Sequence, residues 1–185
     1  ADESDGTFVR LPTEIGIVTN IDPEHLDHFK TVENMHREFE TFYRNIPFYG
    51  LAVTCVDHPV VRDMIERLDL RRDGRRLLTY GIAENADLRL TSVRQDGFTT
   101  LFDAELSSRV KGGARRLAGW AVPVPGHHNA LNALAAVAVA SEAGIADDDG
   151  HVRHVEAAHL IDALADAEEP GAHEQARVTP ETGVH

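Results

Sequence analysis

The sequence has little of three things that define common classes of protein. Its one cysteine, Cys55, excludes a disulfide within the chain. No apolar run approaches the roughly 20 residues that cross a bilayer. Lys and Arg number 18 against 31 Asp and Glu, a formal net charge of -13, whereas nonspecific binding to nucleic acid or anionic membranes needs a positive surface. We therefore expect a cytoplasmic protein that binds neither, in which an anionic nucleotide would need a local site.

Several signatures of catalysis are also absent. The sequence has no Ser, His, Asp nucleophile motif, no Cys and His set with closed zinc spacing, and no G-x-x-x-x-G-K-[ST] phosphate loop. Cys55 lies in an apolar stretch, where cysteine is usually a small buried hydrophobe. The chain begins at Ala1 with neither an initiator methionine nor the regions of a signal peptide, and we expect it to be a fragment.

The first half of the sequence predicts repeated strand-helix units. Apolar, β-branched runs at residues 15–20 and 51–56 each precede a helical pattern. Asp22 and Pro23 would open a helix reaching Asn45, and a second helix would begin at Pro59. Each predicted helix has an apolar stripe, formed by Met35, Phe39, Phe42 and Tyr43 in the first and by Val61, Ile65 and Leu68 in the second. Because parallel strands need crossover connections, we expect an α/β fold with a mostly parallel, layered sheet flanked by helices.

The second half predicts an antiparallel β excursion and then a helix. Residues 76–124 are strand-like, including 87–93 and 99–106 on either side of the turn signal Asp96-Gly97. An alanine-rich segment from His128 to Ala143 predicts a helix that Gly144 closes. We assign residues 1–145 to one domain and residues 146–185 to an acidic tail, with a short helix at 155–167 and poor order in the final dozen residues.

One group of polar residues follows the first predicted strand. His25 and His28 lie three residues apart, with Asp22, Glu24 and Asp27 beside them. Imidazole and carboxylate groups at the carboxyl end of a parallel strand are placed to bind a metal ion, and His25 is the preferred ligand. The alternative is a solvated first helical turn, in which the helix dipole favours the acidic groups.

A second group begins the alanine-rich helix. His128, Asn129 and Asn132 follow Pro125-Gly126, and amide side chains can both donate to and accept from the edge of an adenine. The alternative is helix capping, which suits Asn129 better than Asn132.

Five segments in order carry a resemblance to one family: ADESDGTF (1–8), TNIDPEHLDHF (19–29), PFYGLAVTCVD (47–57), TYG (79–81) and PGHHNALNALAAVAVASEAGI (125–145). Over residues 1–145 the chain resembles the central domain of the Mur ligases, in the branch that adds L-alanine to UDP-N-acetylmuramate during peptidoglycan precursor synthesis. The resemblance implies ATP and Mg²⁺ as cofactors and a parent with an N-terminal domain for the UDP-sugar and a C-terminal domain that helps to bind L-alanine. In such ligases ATP phosphorylates the substrate carboxylate, and the amine of L-alanine attacks the acyl phosphate.

The same resemblance implies roles for individual residues. His25 would be a catalytic magnesium ligand, His128 and Asn132 would contact adenine, and Asn129 would support the loop. The segment with Thr19, Asn20 and Asp22 would lie near the UDP-sugar.

Two departures from the family pattern affect these expectations. Ligases that add later amino acids carry a carbamoylated lysine, which would fall at 38–44 here, but the only lysines are Lys30 and Lys111. This departure favours the alanine-adding branch. The family's phosphate-binding loop and magnesium-binding glutamate would precede Ala1, so we expect the chain alone to be inactive. A ligase that attaches a preformed tripeptide, a noncatalytic nucleotide or metal-binding module and a purely structural domain remain open alternatives.

Overall fold

The computed structural model describes residues 6–23 and 26–144. Within these residues a short 3₁₀ turn (Thr7–Arg10) precedes six strands and four α-helices. In chain order they are β1 (Ile15–Val18), α1 (Leu26–Phe29), α2 (Val32–Asn45), β2 (Leu51–Cys55), α3 (Pro59–Leu68), β3 (Arg76–Gly81), β4 (Leu88–Asp96), β5 (Thr99–Leu106), β6 (Arg115–Val122) and α4 (His127–Ala143).

One sheet contains the six described strands in sequence order, from β1 to β6. Strands β1, β2 and β3 are parallel, with Ile15 opposite Leu51 and Leu51 opposite Arg76. Strand β4 pairs in parallel with only the last two residues of β3 and then extends beyond them. Strands β5 and β6 continue the sheet by antiparallel pairing. The predicted α/β fold, a mostly parallel sheet with an antiparallel excursion, is confirmed. The excursion is shorter than the predicted 76–124, because β3 pairs in parallel with β2 and β4, and antiparallel pairing begins only between β4 and β5.

The single helix predicted from Glu24 to Asn45 is wrong in one respect. Among the described residues it is two helices, because Lys30 has a positive φ of 68° and breaks the helical path. Helix α2 then starts afresh, with the Thr31 hydroxyl accepting a hydrogen bond from the backbone N–H of Asn34 at 3.1 Å. The helix predicted at 155–167 and the tail 146–185 lie outside the described residues.

Each face of the sheet has its own core, since successive strand residues point to opposite faces. On one face Val53 and Tyr80 pack with the alanine-rich helix α4. On the other face Ala52 and Leu77 pack with α2 and α3. The predicted stripes are buried as expected, at Met35, Phe42 and Tyr43 in α2, where Phe39 is partly buried, and at Val61, Ile65 and Leu68 in α3.

Helix α4 runs antiparallel to β3. At its end, Glu142 forms a two-fold ion pair with Arg76, the first residue of β3. At its start, the N–H of Gly126 donates to Thr100, far along the hairpin that extends beyond β3. Gly144 ends the helix with a φ of 74°, as predicted. The amino terminus of α4 therefore lies toward the carboxyl ends of the parallel strands. Among the described helices, none combines the length and apolarity needed to cross a membrane.

Candidate functional site

The first group of polar residues follows β1 at the carboxyl edge of the sheet. Thr19 is half-buried, Asn20 is exposed, and the hydroxyl of Thr19 lies 3.5 Å from Oδ1 of Asn20. The side chain of Asp22 is 50% exposed, and its Oδ1 lies 3.1 Å from Nε2 of His58. This segment is thus tied to the residues that follow β2.

Asp57 joins the carboxyl ends of β2 and β3. Its carboxylate accepts hydrogen bonds from the backbone N–H groups of Ile82, at 2.8 and 3.0 Å, and of Ala83, at 3.2 Å. Gly81 has a φ of 154°, and a Cβ there would lie 2.5 Å from the Asp57 carboxylate. Only glycine therefore allows the carboxylate to approach the end of β3 so closely.

His58 belongs to this edge and was not predicted as a site residue. In the sequence, Asp57 and His58 stand only as the residues before the predicted helix start at Pro59, although both follow the strand β2 closely. Within the described chain, Nδ1 of His58 is buried without a hydrogen-bond partner. A proton on Nε2 suits this environment, because Nε2 can then donate to Asp22.

The predicted metal ligand His25 lies outside the described residues. Its neighbour His28 has Nε2 3.9 Å from Glu38 of α2, and its ring packs edge-on against Phe29 at 4.9 Å. Within residues 6–23 and 26–144, no group of three His, Cys, Asp or Glu side chains could hold a metal ion. The magnesium assignment at His25 therefore stays a prediction.

The second group begins α4 and depends on an unusual glycine. Gly126 has φ 120° and ψ 144°, a combination that is almost restricted to glycine. A Cβ at this position would lie 2.7 Å from the ring of His128. Asn129 donates from Nδ2 to the carbonyl of Pro125 at 2.8 Å. The backbone turn and the first side chains of α4 thus form one compact unit.

The three predicted nucleotide-binding residues differ in exposure. His128 is exposed and Asn129 is half-buried. Asn132 lies one turn further into the helix and is only 5% exposed. No side chain caps the helix start. An exposed imidazole thus lies at the positive end of a 17-residue helix, where the helix dipole favours a negatively charged ligand.

Both groups lie toward one end of the molecule, because α4 runs antiparallel to β3 and its amino terminus lies toward the carboxyl ends of the parallel strands. Polar side chains at the carboxyl ends of parallel strands, with a helix amino terminus beside them, are the arrangement in which open α/β sheets bind ligands. The described fold is therefore an open α/β sheet whose candidate site residues lie toward the edge at which such sheets bind ligands.

A family model for the Mur ligase middle domain matches residues 2–140. The chain belongs to the Mur ligase family, and the resemblance stated from the sequence is confirmed.

Curated relatives share about half of the residues. The UDP-N-acetylmuramate--L-alanine ligase of Xanthobacter autotrophicus is 51% identical over 148 residues, which are 80% of this chain and 31% of the relative. The protein of the same name from Rhodopseudomonas palustris strain BisB18 is 49% identical over 148 residues, which are again 80% of this chain and 31% of the relative. The chain thus spans about 31% of the length of these relatives.

Solved structures agree in fold. MurF from Acinetobacter baumannii superposes with a TM-score of 0.61 at 22% identity, over 83% of this chain and 31% of that one. The MurF ligase of Thermotoga maritima in complex with ADP superposes with a TM-score of 0.53 at 20% identity, over 80% of this chain and 30% of that one. At such identities these likenesses show the fold alone.

Proposed function

We propose that this chain is most of the ATP-binding central domain of a ligase that joins L-alanine to UDP-N-acetylmuramate in peptidoglycan precursor synthesis. The supporting observation is the identity of 51% and 49%, over 148 residues, to relatives bearing that name. In the complete enzyme, ATP phosphorylates the lactyl carboxylate of the sugar nucleotide and ADP leaves. The amine of L-alanine then attacks the acyl phosphate, and phosphate leaves as the amide bond forms.

The start of α4 is the part of the chain that we assign to the adenine. His128 is exposed beside the sharp turn at Gly126, and Asn129 braces that turn through the carbonyl of Pro125. Asn132 would contribute its amide from the floor of the site, since it is nearly covered. An imidazole and an amide together offer the donors and acceptors that a purine edge needs.

The segment after β1 is the part that we assign to the UDP-sugar. Thr19 and Asn20 present hydroxyl and amide groups there, and the contact between Asp22 and His58 holds the segment against the end of β2. His25, three residues after Asp22, is the proposed ligand for the Mg²⁺ that accompanies ATP. We propose a cytoplasmic parent in which residues 1–145 are the middle domain and flanking domains bind the sugar nucleotide and L-alanine.

The test is L-alanine-dependent ADP release by the complete ligase. His128→Ala should raise the KM for ATP about tenfold, equivalent to about 1.4 kcal/mol, and leave the KM for UDP-N-acetylmuramate unchanged. His127→Ala is the matched control, because His127 is also exposed in the first turn of α4. Equal KM values for ATP in the two variants would argue against the adenine assignment.

The same assay separates the alternatives. A ligase for a preformed tripeptide would release ADP with the tripeptide and not with L-alanine. A noncatalytic module would bind ATP in calorimetry of the 185-residue chain alone, and its parent would release no ADP with either substrate.

A further inference from the structure

The β4–β5 hairpin contacts the loop that begins α4 through two polar side chains, Gln95 and Thr100. We infer that these are positioning residues for nucleotide binding, which hold the backbone of residues 124–126 and thereby set the direction of His128. This inference rests on the proposed function, and it adds a second element to the nucleotide site.

Thr100 forms the centre of the contact. It is fully buried, and its Oγ1 lies 2.8 Å from the carbonyl of Val124 and 3.0 Å from the backbone nitrogen of Gly126. The hydroxyl can accept from Gly126 while it donates its one proton to Val124. One side chain therefore binds both sides of the Pro125 turn.

Gln95 closes the hairpin tip around the same point. Its Nε2 donates to the carbonyls of Gly97, at 2.8 Å, and Thr99, at 3.0 Å. Its Oε1 lies 3.1 Å from Oγ1 of Thr100 and 3.3 Å from the nitrogen of Gly126. The hairpin tip and the turn before α4 are thus linked into one hydrogen-bonded unit.

This unit acts on the ligand only through Gly126. The backbone of Gly126 lies so close to the ring of His128 that even a Cβ would be 2.7 Å away. Gly126 is also the N-cap residue of α4, and His128 projects from the first turn of that helix, so a shift of Gly126 moves the backbone that carries the imidazole. Gln95 and Thr100 themselves are not assigned any contact with the nucleotide.

The hydroxyl of Thr100 is not needed to pair the strands. Thr100 is opposite Val122 in the β5–β6 ladder, and that pairing uses backbone groups. The side-chain contacts described above go to Gln95 and to the loop before α4. Removing the hydroxyl while keeping the side-chain shape should therefore change the loop more than the sheet.

The experiment compares Thr100→Val with Thr100→Ser in the complete ligase. Valine keeps the shape and loses the hydroxyl, whereas serine keeps the hydroxyl and loses a methyl group. We expect Thr100→Val to raise the KM for ATP about fivefold, with kcat and the KM for UDP-N-acetylmuramate within about twofold of wild type. Thr100→Ser should restore most of the ATP affinity. Thr99→Val is the matched control, because the contact of Thr99 with Gln95 uses its backbone carbonyl.

Hydrogen exchange gives a second readout. The Gly126 amide donates to Thr100 and Gln95, so peptides covering residues 122–130 should exchange faster in Thr100→Val than in Thr100→Ser. If Thr100→Val does not fold, Gln95→Met at an exposed position tests the same unit and should raise the KM for ATP in the same direction.

Two kinds of failure are distinguishable. If His128→Ala raises the KM for ATP but Thr100→Val and Gln95→Met do not, the positioning role is wrong and the adenine assignment stands. If His128→Ala has no effect, the adenine assignment fails. A loss of thermal stability in Thr100→Val that serine does not correct, with the KM for ATP unchanged, would show a purely structural threonine.

Discussion

Asp87 is the most completely paired carboxylate described in the structure. It is 1% exposed and accepts hydrogen bonds from the backbone and hydroxyl of Thr79, both at 3.0 Å. Arg71 and Arg109 also donate to it, at 2.5 and 3.0 Å. Burial alone would raise the pKa of Asp87, but the hydrogen bonds from Thr79 and Arg109 and the charge of Arg71 outweigh it, and the pKa is lowered. The ionised form is therefore part of the folded structure.

Asp87→Asn should reduce the free energy of unfolding by about 2–3 kcal/mol at pH 7. The amide cannot accept from all of these donors, and its NH₂ group would face the guanidinium of either Arg71 or Arg109, because the two arginines bond different oxygens of Asp87. The cost stays below that of stranding a fully buried charge, because the side chains of Arg71 and Arg109 are 42% and 60% exposed and can be solvated. Urea denaturation of the 185-residue chain measures it.

The control is Asp63→Asn, at an exposed position of α3, which should change stability by no more than about 0.5 kcal/mol. Equal stabilities of the two variants would contradict the role of Asp87.

This role could not be predicted from the sequence, because the partners of Asp87 lie up to 22 residues away and meet it only after the sheet has formed. By contrast, the start of α4 was visible in Pro125-Gly126, since these two residue types mark a turn in the sequence itself.

At the scale of elements, α2 begins as a separate helix at Val32, with Thr31 as its N-cap, after the break at Lys30. The sequence pattern in 24–45 is mixed, with apolar residues at helical spacing, and nothing in it marks Lys30 as the residue with positive φ. The apolar stripe was still predicted correctly, because Met35, Phe42 and Tyr43 obey one helical period. The break was missed because tertiary contacts determine where a helical pattern is interrupted.

Thr31→Ala should lower the free energy of unfolding by about 1 kcal/mol, since it removes the hydroxyl that accepts from the N–H of Asn34. Thr41→Ala in the same helix is the control. Its hydroxyl donates to the carbonyl of Arg37, a contact within the helix, and alanine has the better helix propensity. We expect Thr41→Ala to be neutral or slightly stabilising in thermal denaturation. A larger loss at Thr41 than at Thr31 would contradict the cap.

At the scale of the whole molecule, the order of strands could be predicted only in part. Strand-helix units in the first half required parallel pairing, which gave β1 and β2, whereas β3 was assigned to the antiparallel excursion of 76–124 and pairs in parallel. The short parallel contact of β4 with the last two residues of β3 has no sequence signal, because residues 82–87 look like any connecting loop. This stagger carries the hairpin beyond the parallel strands, and it places Gln95 and Thr100 at the start of α4.

The acid side of the stability profile follows from carboxylates distributed over the molecule. A hydrogen bond from Arg76 lowers the pKa of Glu142, and a hydrogen bond from the backbone N–H of Gly119 lowers the pKa of Asp103. The pKa of Asp87 is also lowered, as described above. Each group has a lower pKa folded than unfolded, so it stabilises the fold above the unfolded value of about 4. Its contribution is lost as the pH falls through the folded value.

The free energy of unfolding should therefore fall steeply below about pH 4, because the unfolded chain takes up protons before the folded one does. Asp87→Asn should show a shallower fall, since one of the groups responsible no longer titrates. The difference between wild type and variant is then largest near pH 7 and shrinks toward pH 2, as denaturant titrations at several pH values can measure. Parallel curves for the two proteins would mean that the pKa of Asp87 is the same in the folded and unfolded chain, and that its hydrogen bonds and paired arginines do not lower it.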